Sequence, residues 1–138
     1  TLKARGAKLM VYHGTSDPVF SSDDTTDWYQ RLATVNGGDA SNFARFYPVP
    51  GMNHCSGGPT ADQFDMLTPL VAWVEKGVAP DSVVATARGP ANAVPNTEVP
   101  ADWSAAGHDR TRPLCAYPKN AHYTGSGNIN DASSFSCQ

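Results

Sequence analysis

An acid and a base, Asp17 and His54, each follow a short apolar segment of the chain. Gly14 and Pro18 indicate that Asp17 lies in a loop, and a run of glycines indicates the same for residues 52–59 around His54. A carboxylate that orients an imidazole, which then moves a proton, is the acid–base pair of serine hydrolases. Asp17 by itself is more typical of a residue that supports a turn before proline. The pair together favours proton-transfer chemistry.

The nucleophile for such a pair is missing from the 138 residues. No Gly-x-Ser-x-Gly motif occurs, and Ser56 is a poor candidate because it is two residues from His54 and follows the wrong strand. The chain also opens at Thr1 without an initiator methionine or a signal segment. We therefore expect the serine to lie upstream of Thr1, and we expect the 138-residue segment alone to be inactive.

A metal site is the alternative interpretation of the same part of the chain. His13, Asp17, His54 and Cys55 are all ligand types that zinc accepts. Zinc sites are marked in sequences by closely spaced ligand pairs such as Cys-x-x-Cys, and the chain contains none. The sequence therefore favours acid–base chemistry, and we expect these residues to bind no metal.

The sequence pattern predicts which strands and helices flank the loops that carry Asp17 and His54. Residues 9–12 form a continuous apolar run, which predicts a strand buried on both faces as in a parallel sheet. The apolar repeat over residues 28–35 predicts a helix, and residues 44–49 predict a second strand. Functional groups gather at the carboxyl ends of such strands. Asp17 followed by His54 matches the last two members of the Ser…Asp…His order of α/β-hydrolases.

A second helix and a third strand are predicted further along. Thr60 and Gln63 have the spacing of a capping box, which predicts that a helix begins at Thr60. Apolar residues between 64 and 74 mark one helical face, and Gly77 is typical of a helix end. A short strand is predicted at residues 83–86. The alternation of strands and helices predicts an α/β fold.

Composition excludes two classes of protein and divides the chain. The net charge of −3 argues against a nucleic-acid-binding protein, and no apolar run is long enough for a membrane span. Large apolar residues are concentrated before residue 80, so residues 1–87 are predicted to form part of a catalytic domain with both loops. Residues 88–138 are too poor in apolar side chains to form a core, which predicts an irregular tail that packs on the same domain.

Three blocks of the sequence resemble the C-terminal part of the tannase and feruloyl esterase family of secreted serine esterases. They are His-Gly-Thr-Ser-Asp at residues 13–17, Pro-Gly-Met-Asn-His-Cys-Ser-Gly-Gly-Pro at residues 50–59, and residues 112–130 followed by Cys137. The second block is the most specific of the three. The resemblance implies the C-terminal segment of an α/β-hydrolase fold.

The resemblance also implies roles for individual residues. Asp17 matches the acid and His54 the base of the family's triad, and Phe20 matches a position that lines the pocket for an aromatic acyl group, with His13 near the same site. Cys55 matches a cysteine that pairs with the one directly before the nucleophilic serine. Two further cysteines match a second family disulfide, Cys115 with Cys137. The family's calcium ion is bound in the lid, so no cofactor is expected in this segment.

These observations together lead to an expected function. We expect a secreted or periplasmic carboxylic ester hydrolase that acts on galloyl, feruloyl or terephthaloyl esters, linked through Cys55 to the upstream segment of the same precursor. We expect neither a membrane nor a nucleic acid as partner. The alternative is a secreted, disulfide-bonded binding or structural module that is catalytically inactive.

Overall fold

The computed structural model describes residues 1–104 and 109–138 and has a mixed α/β architecture. Its strands and α-helices are, in chain order, β1 (Leu9–Gly14), α1 (Ser22–Thr34), β2 (Ala44–Val49), β3 (Gln63–Phe64), α2 (Leu67–Lys76), β4 (Ser82–Thr86), β5 (Thr111–Cys115), β6 (Ala121–Tyr123) and β7 (Phe135–Cys137). Short 3₁₀ helices lie at Lys3–Arg5, Ala101–Ser104 and Ala132–Ser134. None of the described helices is long and apolar enough to cross a bilayer.

The first sheet carries the two candidate loops. Strands β1 and β2 pair in parallel, with Leu9 opposite Ala44 and Gly14 opposite Val49. Because the two strands run in the same direction and in register, their carboxyl ends meet at one edge of the sheet. Helix α1 connects them, and the Ser21 side chain caps it by accepting a hydrogen bond from a backbone N–H. The predicted strand–helix–strand order is therefore present.

Strand β2 is the central element of the hydrophobic core. Phe46 and Tyr47 are adjacent on this strand and both fully buried, so its two faces are covered. Phe46 packs with Tyr29 of α1, whereas Tyr47 packs with side chains of β4 and β5. Strand β1 is less covered because Tyr12 is 47% exposed. The sequence predicted that residues 9–12 of β1 are buried on both faces. In the structure it is β2 that is buried on both faces.

Helix α2 begins at Leu67, and the prediction of a helix start at Thr60 is wrong. The Thr60 hydroxyl donates a hydrogen bond to the carbonyl of Pro50 at 2.6 Å, so it does not cap a helix. The segment that follows pairs with β4 as strand β3. Asp65 takes the capping role, because its Oδ1 accepts a hydrogen bond from the backbone N–H of Leu67 at 2.8 Å. A competing partner for Thr60 thus overrides the local pattern.

A second sheet joins the tail to the earlier part of the chain. Strand β4 pairs antiparallel with β3 on one side and with β5 on the other. Leu114 of β5 is buried in the same cluster as Tyr47 of β2. Most of the described tail is irregular, as predicted, and the disulfide between Cys115 and Cys137 joins β5 to β7. The three short strands of the tail lack the periodicity that would have indicated them.

Candidate active site

Hydrogen bonds to backbone groups hold together the loops that follow β1 and β2. Thr15 Oγ1 accepts a hydrogen bond from the N–H of Gly51 at 3.0 Å, and the N–H of Ser16 donates to the carbonyl of Met52 at 3.0 Å. This approach requires a glycine at position 14, since a Cβ on Gly14 would lie 2.2 Å from the carbonyl oxygen of Met52. The contacts fix the two loops relative to each other.

The loop contacts bring Asp17 and His54 into hydrogen-bond contact. His54 Nδ1 lies 2.8 Å from Asp17 Oδ2, across 37 residues of sequence. The Asp17 side chain is only 1% exposed, whereas the His54 side chain is 48% exposed. The other carboxylate oxygen, Oδ1, accepts hydrogen bonds from the backbone N–H groups of Val19 at 2.8 Å and Phe20 at 3.1 Å. The structure therefore joins the acid and the base that the sequence singles out.

The hydrogen bonds around Asp17 determine its charge. Burial alone would raise the pKa of Asp17, but the hydrogen bonds from His54, the N–H groups of Val19 and Phe20, and His13 outweigh it and hold the pKa well below its ordinary value. Asp17 is therefore an ionised acceptor. Since a carboxylate only accepts, His54 Nδ1 must carry the proton that it donates. In a neutral imidazole, Nε2 is then the nitrogen with a lone pair that can take up a proton.

His13 contacts the same carboxylate oxygen as His54. Its Nε2 lies 3.1 Å from Asp17 Oδ2, and its Nδ1 lies 2.7 Å from the hydroxyl oxygen of Thr25 in α1. In a neutral imidazole, Nε2–H donates to Asp17, so Nδ1 accepts a hydrogen bond from the Thr25 hydroxyl. The sequence pattern did not indicate Thr25, because nothing local to this residue shows that it contacts β1. A substrate contact by His13 stays a prediction.

An open cleft of about 510 Å³ lies beside His54. Phe20 lies on it with its ring centroid 5.4 Å from that of His54, and Tyr12 and Cys55 also line it. Phe20 is 61% exposed, so it presents an apolar surface next to the imidazole. Cys55 is exposed and forms no disulfide with the other two cysteines. The cleft thus combines a proton acceptor with an aromatic surface.

The metal interpretation concerns His13, Asp17, His54 and Cys55. No group of three His, Cys, Asp or Glu side chains within residues 1–104 and 109–138 is arranged to hold a metal ion. His13 and His54 instead both direct a ring nitrogen to Asp17 Oδ2. The geometry is that of a hydrogen-bonded acid–base pair.

Residues 1–138 match the family model described as "Tannase and feruloyl esterase". The chain is 52% identical over 133 residues to mono(2-hydroxyethyl) terephthalate hydrolase of Piscinibacter sakaiensis. The aligned region covers 96% of this chain and 20% of that protein. It is 33% identical over 150 residues to feruloyl esterase B of Aspergillus niger, covering 96% of this chain and 26% of that protein.

Solved structures show the same relationship. An esterase from Aspergillus oryzae superposes with a TM-score of 0.78 at 27% identity, covering 99% of this chain and 28% of that one. Feruloyl esterase B from the same organism gives a TM-score of 0.73 at 28% identity, over 99% and 27% of the two chains. The chain therefore spans about a quarter of the length of these proteins.

Proposed function

The chain belongs to the tannase and feruloyl esterase family, and we propose that it supplies the acid and base of a serine carboxylic ester hydrolase. We propose that the nucleophilic serine is supplied from upstream of Thr1, since the chain spans only a fifth to a quarter of the length of these relatives. The observation that carries the proposal is the 2.8 Å contact between His54 Nδ1 and Asp17 Oδ2, which leaves Nε2 to accept a proton at an open cleft. In this enzyme Asp17 is the triad acid and His54 the triad base.

The geometry supports a two-step acyl transfer. His54 Nε2 takes the hydroxyl proton of the serine as its oxygen attacks the ester carbonyl, and the imidazolium then gives this proton to the leaving alcohol as the C–O bond breaks. A water molecule next attacks the acyl-serine, with Nε2 taking a proton from the water. The same proton returns to the serine oxygen as the acid is released. Asp17 keeps the imidazole oriented and stabilises its positive charge in both steps.

An aromatic acyl group is the proposed substrate class. Phe20 lies 5.4 Å from the His54 ring and is exposed on the cleft, where an aromatic ring of the substrate would stack against it. Two of the relatives are named as a terephthalate monoester hydrolase and a feruloyl esterase, and both substrates are esters of aromatic acids. We propose galloyl, feruloyl or terephthaloyl esters as substrates.

The proposal predicts the outcome of a substrate comparison with the full-length protein. We expect kcat/KM for methyl ferulate, methyl gallate or mono(2-hydroxyethyl) terephthalate to exceed that for ethyl butyrate by about tenfold or more, the usual effect of an apolar pocket on selectivity. A serine-directed phosphonate should abolish hydrolysis of every ester that is cleaved. Absence of ester hydrolysis and of phosphonate labelling would contradict the proposal and favour an inactive binding module.

Cys55 is the proposed covalent link to the upstream segment. It is exposed and adjacent to His54, and the disulfide between Cys115 and Cys137 is typical of a protein from an oxidising compartment. We propose that the enzyme is secreted or periplasmic. A disulfide from Cys55 to a cysteine beside the serine would hold the base close to the nucleophile.

The proposed link predicts the reactivity of Cys55 in the full-length native protein. We expect iodoacetamide to leave Cys55 unmodified until a reductant is added, because a disulfide sulfur does not react with it; peptide mass analysis would locate the adduct. The matched control is Cys55→Ser. In this variant the upstream cysteine has no disulfide partner, and iodoacetamide should alkylate it without a reductant. Ready alkylation of Cys55 without reductant would contradict the link.

A further inference from the structure

The segment that carries His54 is closed at its base by Gly57. The N–H of Asn53 donates to the carbonyl of Gly57 at 3.1 Å, so the residues between them, His54 included, form a short loop. The N–H of Gly57 donates in turn to Asp62 Oδ2 at 2.7 Å. Both backbone polar groups of Gly57 are therefore engaged, and the end of the His54 loop is tied to a carboxylate.

Gly58 is held in the same way, but by residues of the tail. Its N–H donates to Glu98 Oε2 at 2.7 Å, and its carbonyl accepts a hydrogen bond from the side-chain amide of Asn96 at 2.8 Å. The carbonyl also accepts from the N–H of Thr60 at 2.8 Å. Residues that are 40 and 38 positions later in the chain thus fix the peptide groups that follow the His54 loop.

The backbone at Gly58 leaves no room for another residue. Its φ is +84°, and a Cβ there would lie 2.1 Å from the carbonyl oxygen of Gly51. Gly51 lies in the turn after β2, before His54, and Gly58 follows His54. The backbone that leaves the His54 loop is therefore packed closely against the backbone that enters it. A displacement of Gly58 would therefore also disturb Gly51, at the entry of the loop.

The tail residues are themselves joined in one network. Asn96 is buried, its N–H donates to the carbonyl of Arg88, and its Oδ1 accepts from the N–H of Glu98 at 3.0 Å. Arg88 binds Asp62 through two nitrogens, at 2.8 and 2.6 Å. The Asp62 side chain is fully buried in this ion pair. Asp62 accepts from the Gly57 N–H and Glu98 accepts from the Gly58 N–H. Both carboxylates are held by residues 88–98 of the tail.

We infer that Glu98, together with Asn96, is a positioning residue for His54, so that the tail takes part in catalysis by holding the base in place. This inference rests on the proposed function of His54 as the triad base. Glu98 is not among the residues that line the cleft, and it acts through the Gly58 peptide. Because catalytic geometry tolerates little displacement, release of this peptide should lower turnover more than substrate binding.

The test compares two substitutions of Glu98 in the full-length enzyme. Glu98→Ala removes the acceptor for the Gly58 N–H, and we expect kcat to fall about tenfold with KM changed by less than about twofold. Glu98→Gln keeps an acceptor oxygen, and we expect it to retain kcat within about threefold. Glu75→Ala is the matched control, because it removes the same charge from an exposed position on α2.

Two further measurements separate positioning from other effects. The thermal unfolding midpoint of Glu98→Ala should fall by no more than about 4 °C, since Glu98 is exposed and the substitution removes one hydrogen bond from a large protein. In a His54→Ala background, Glu98→Ala should have no further effect on the residual rate, because both changes act on the same base. An unchanged kcat in Glu98→Ala, or a full additional loss in the double variant, would overturn the inference. Normal turnover of His54→Ala would instead overturn the proposed function.

Discussion

Replacement of His54 by alanine is expected to lower kcat for ester hydrolysis by about 10⁴- to 10⁶-fold, the range seen when a triad base is removed. The reason is that Nε2 is the group that takes the serine proton and later delivers it to the leaving alcohol. Its exposure on the cleft and its 2.8 Å contact with Asp17 suit it to both steps. The measurement is kcat of the full-length enzyme on the best aromatic ester.

A second histidine provides the control for this experiment. His122 is exposed on β6, and we expect His122→Ala to retain the wild-type kcat. Circular dichroism of both variants should match the wild type, because His54 is a surface-exposed residue of a loop. Near-normal turnover of His54→Ala would show that another group is the base, and it would remove the role of Asp17 as its partner.

The contact between Asp17 and His54 could be predicted because its signals are local. An apolar run followed by glycine and proline marks each strand end, and consecutive parallel strands end at the same edge of a sheet. Once β1 and β2 are recognised, the loops that follow them must be neighbours. The strand bounds of β2 agree with the sequence pattern for the same reason, since the pattern ends at Pro50 and Gly51.

The network behind His54 could not be predicted from sequence, because its contacts are distant along the chain. Glu98 meets Gly58 across 40 residues, and Arg88 meets Asp62 across 26. No spacing rule connects such positions. The capping-box pattern at Thr60 failed for a related reason, since the hydroxyl of Thr60 finds the carbonyl of Pro50, which belongs to a turn brought close by the fold. Local patterns predict helices and strands, whereas the hydrogen-bond partner of a side chain also depends on which groups the tertiary structure brings close to it.

Asp17→Asn is expected to lower kcat by about 10⁴-fold, the effect of an amide in place of a triad carboxylate. Backbone N–H groups of Val19 and Phe20 both point at Oδ1, so the amide oxygen of an asparagine would occupy that position. Its NH₂ group would then face His54 Nδ1, which could only accept. The proton would move to Nε2, and the imidazole would lose its ability to act as a base. Asp23→Asn, an exposed position on α1, is the control that should leave kcat unchanged.

The effect of Asp17→Asn on the free energy of unfolding is also predicted to depend on pH. Because the pKa of Asp17 is lowered in the folded protein, its ionisation stabilises the folded state above the unfolded pKa of about 3.9, and this contribution is lost as the pH falls towards the folded value. Urea unfolding of the full-length protein should therefore show a difference in stability between wild type and Asp17→Asn that is present at neutral pH and shrinks below about pH 4. A difference that stays constant on acidification to pH 3 would contradict a strongly bonded carboxylate at position 17, and with it the tautomer argument for His54.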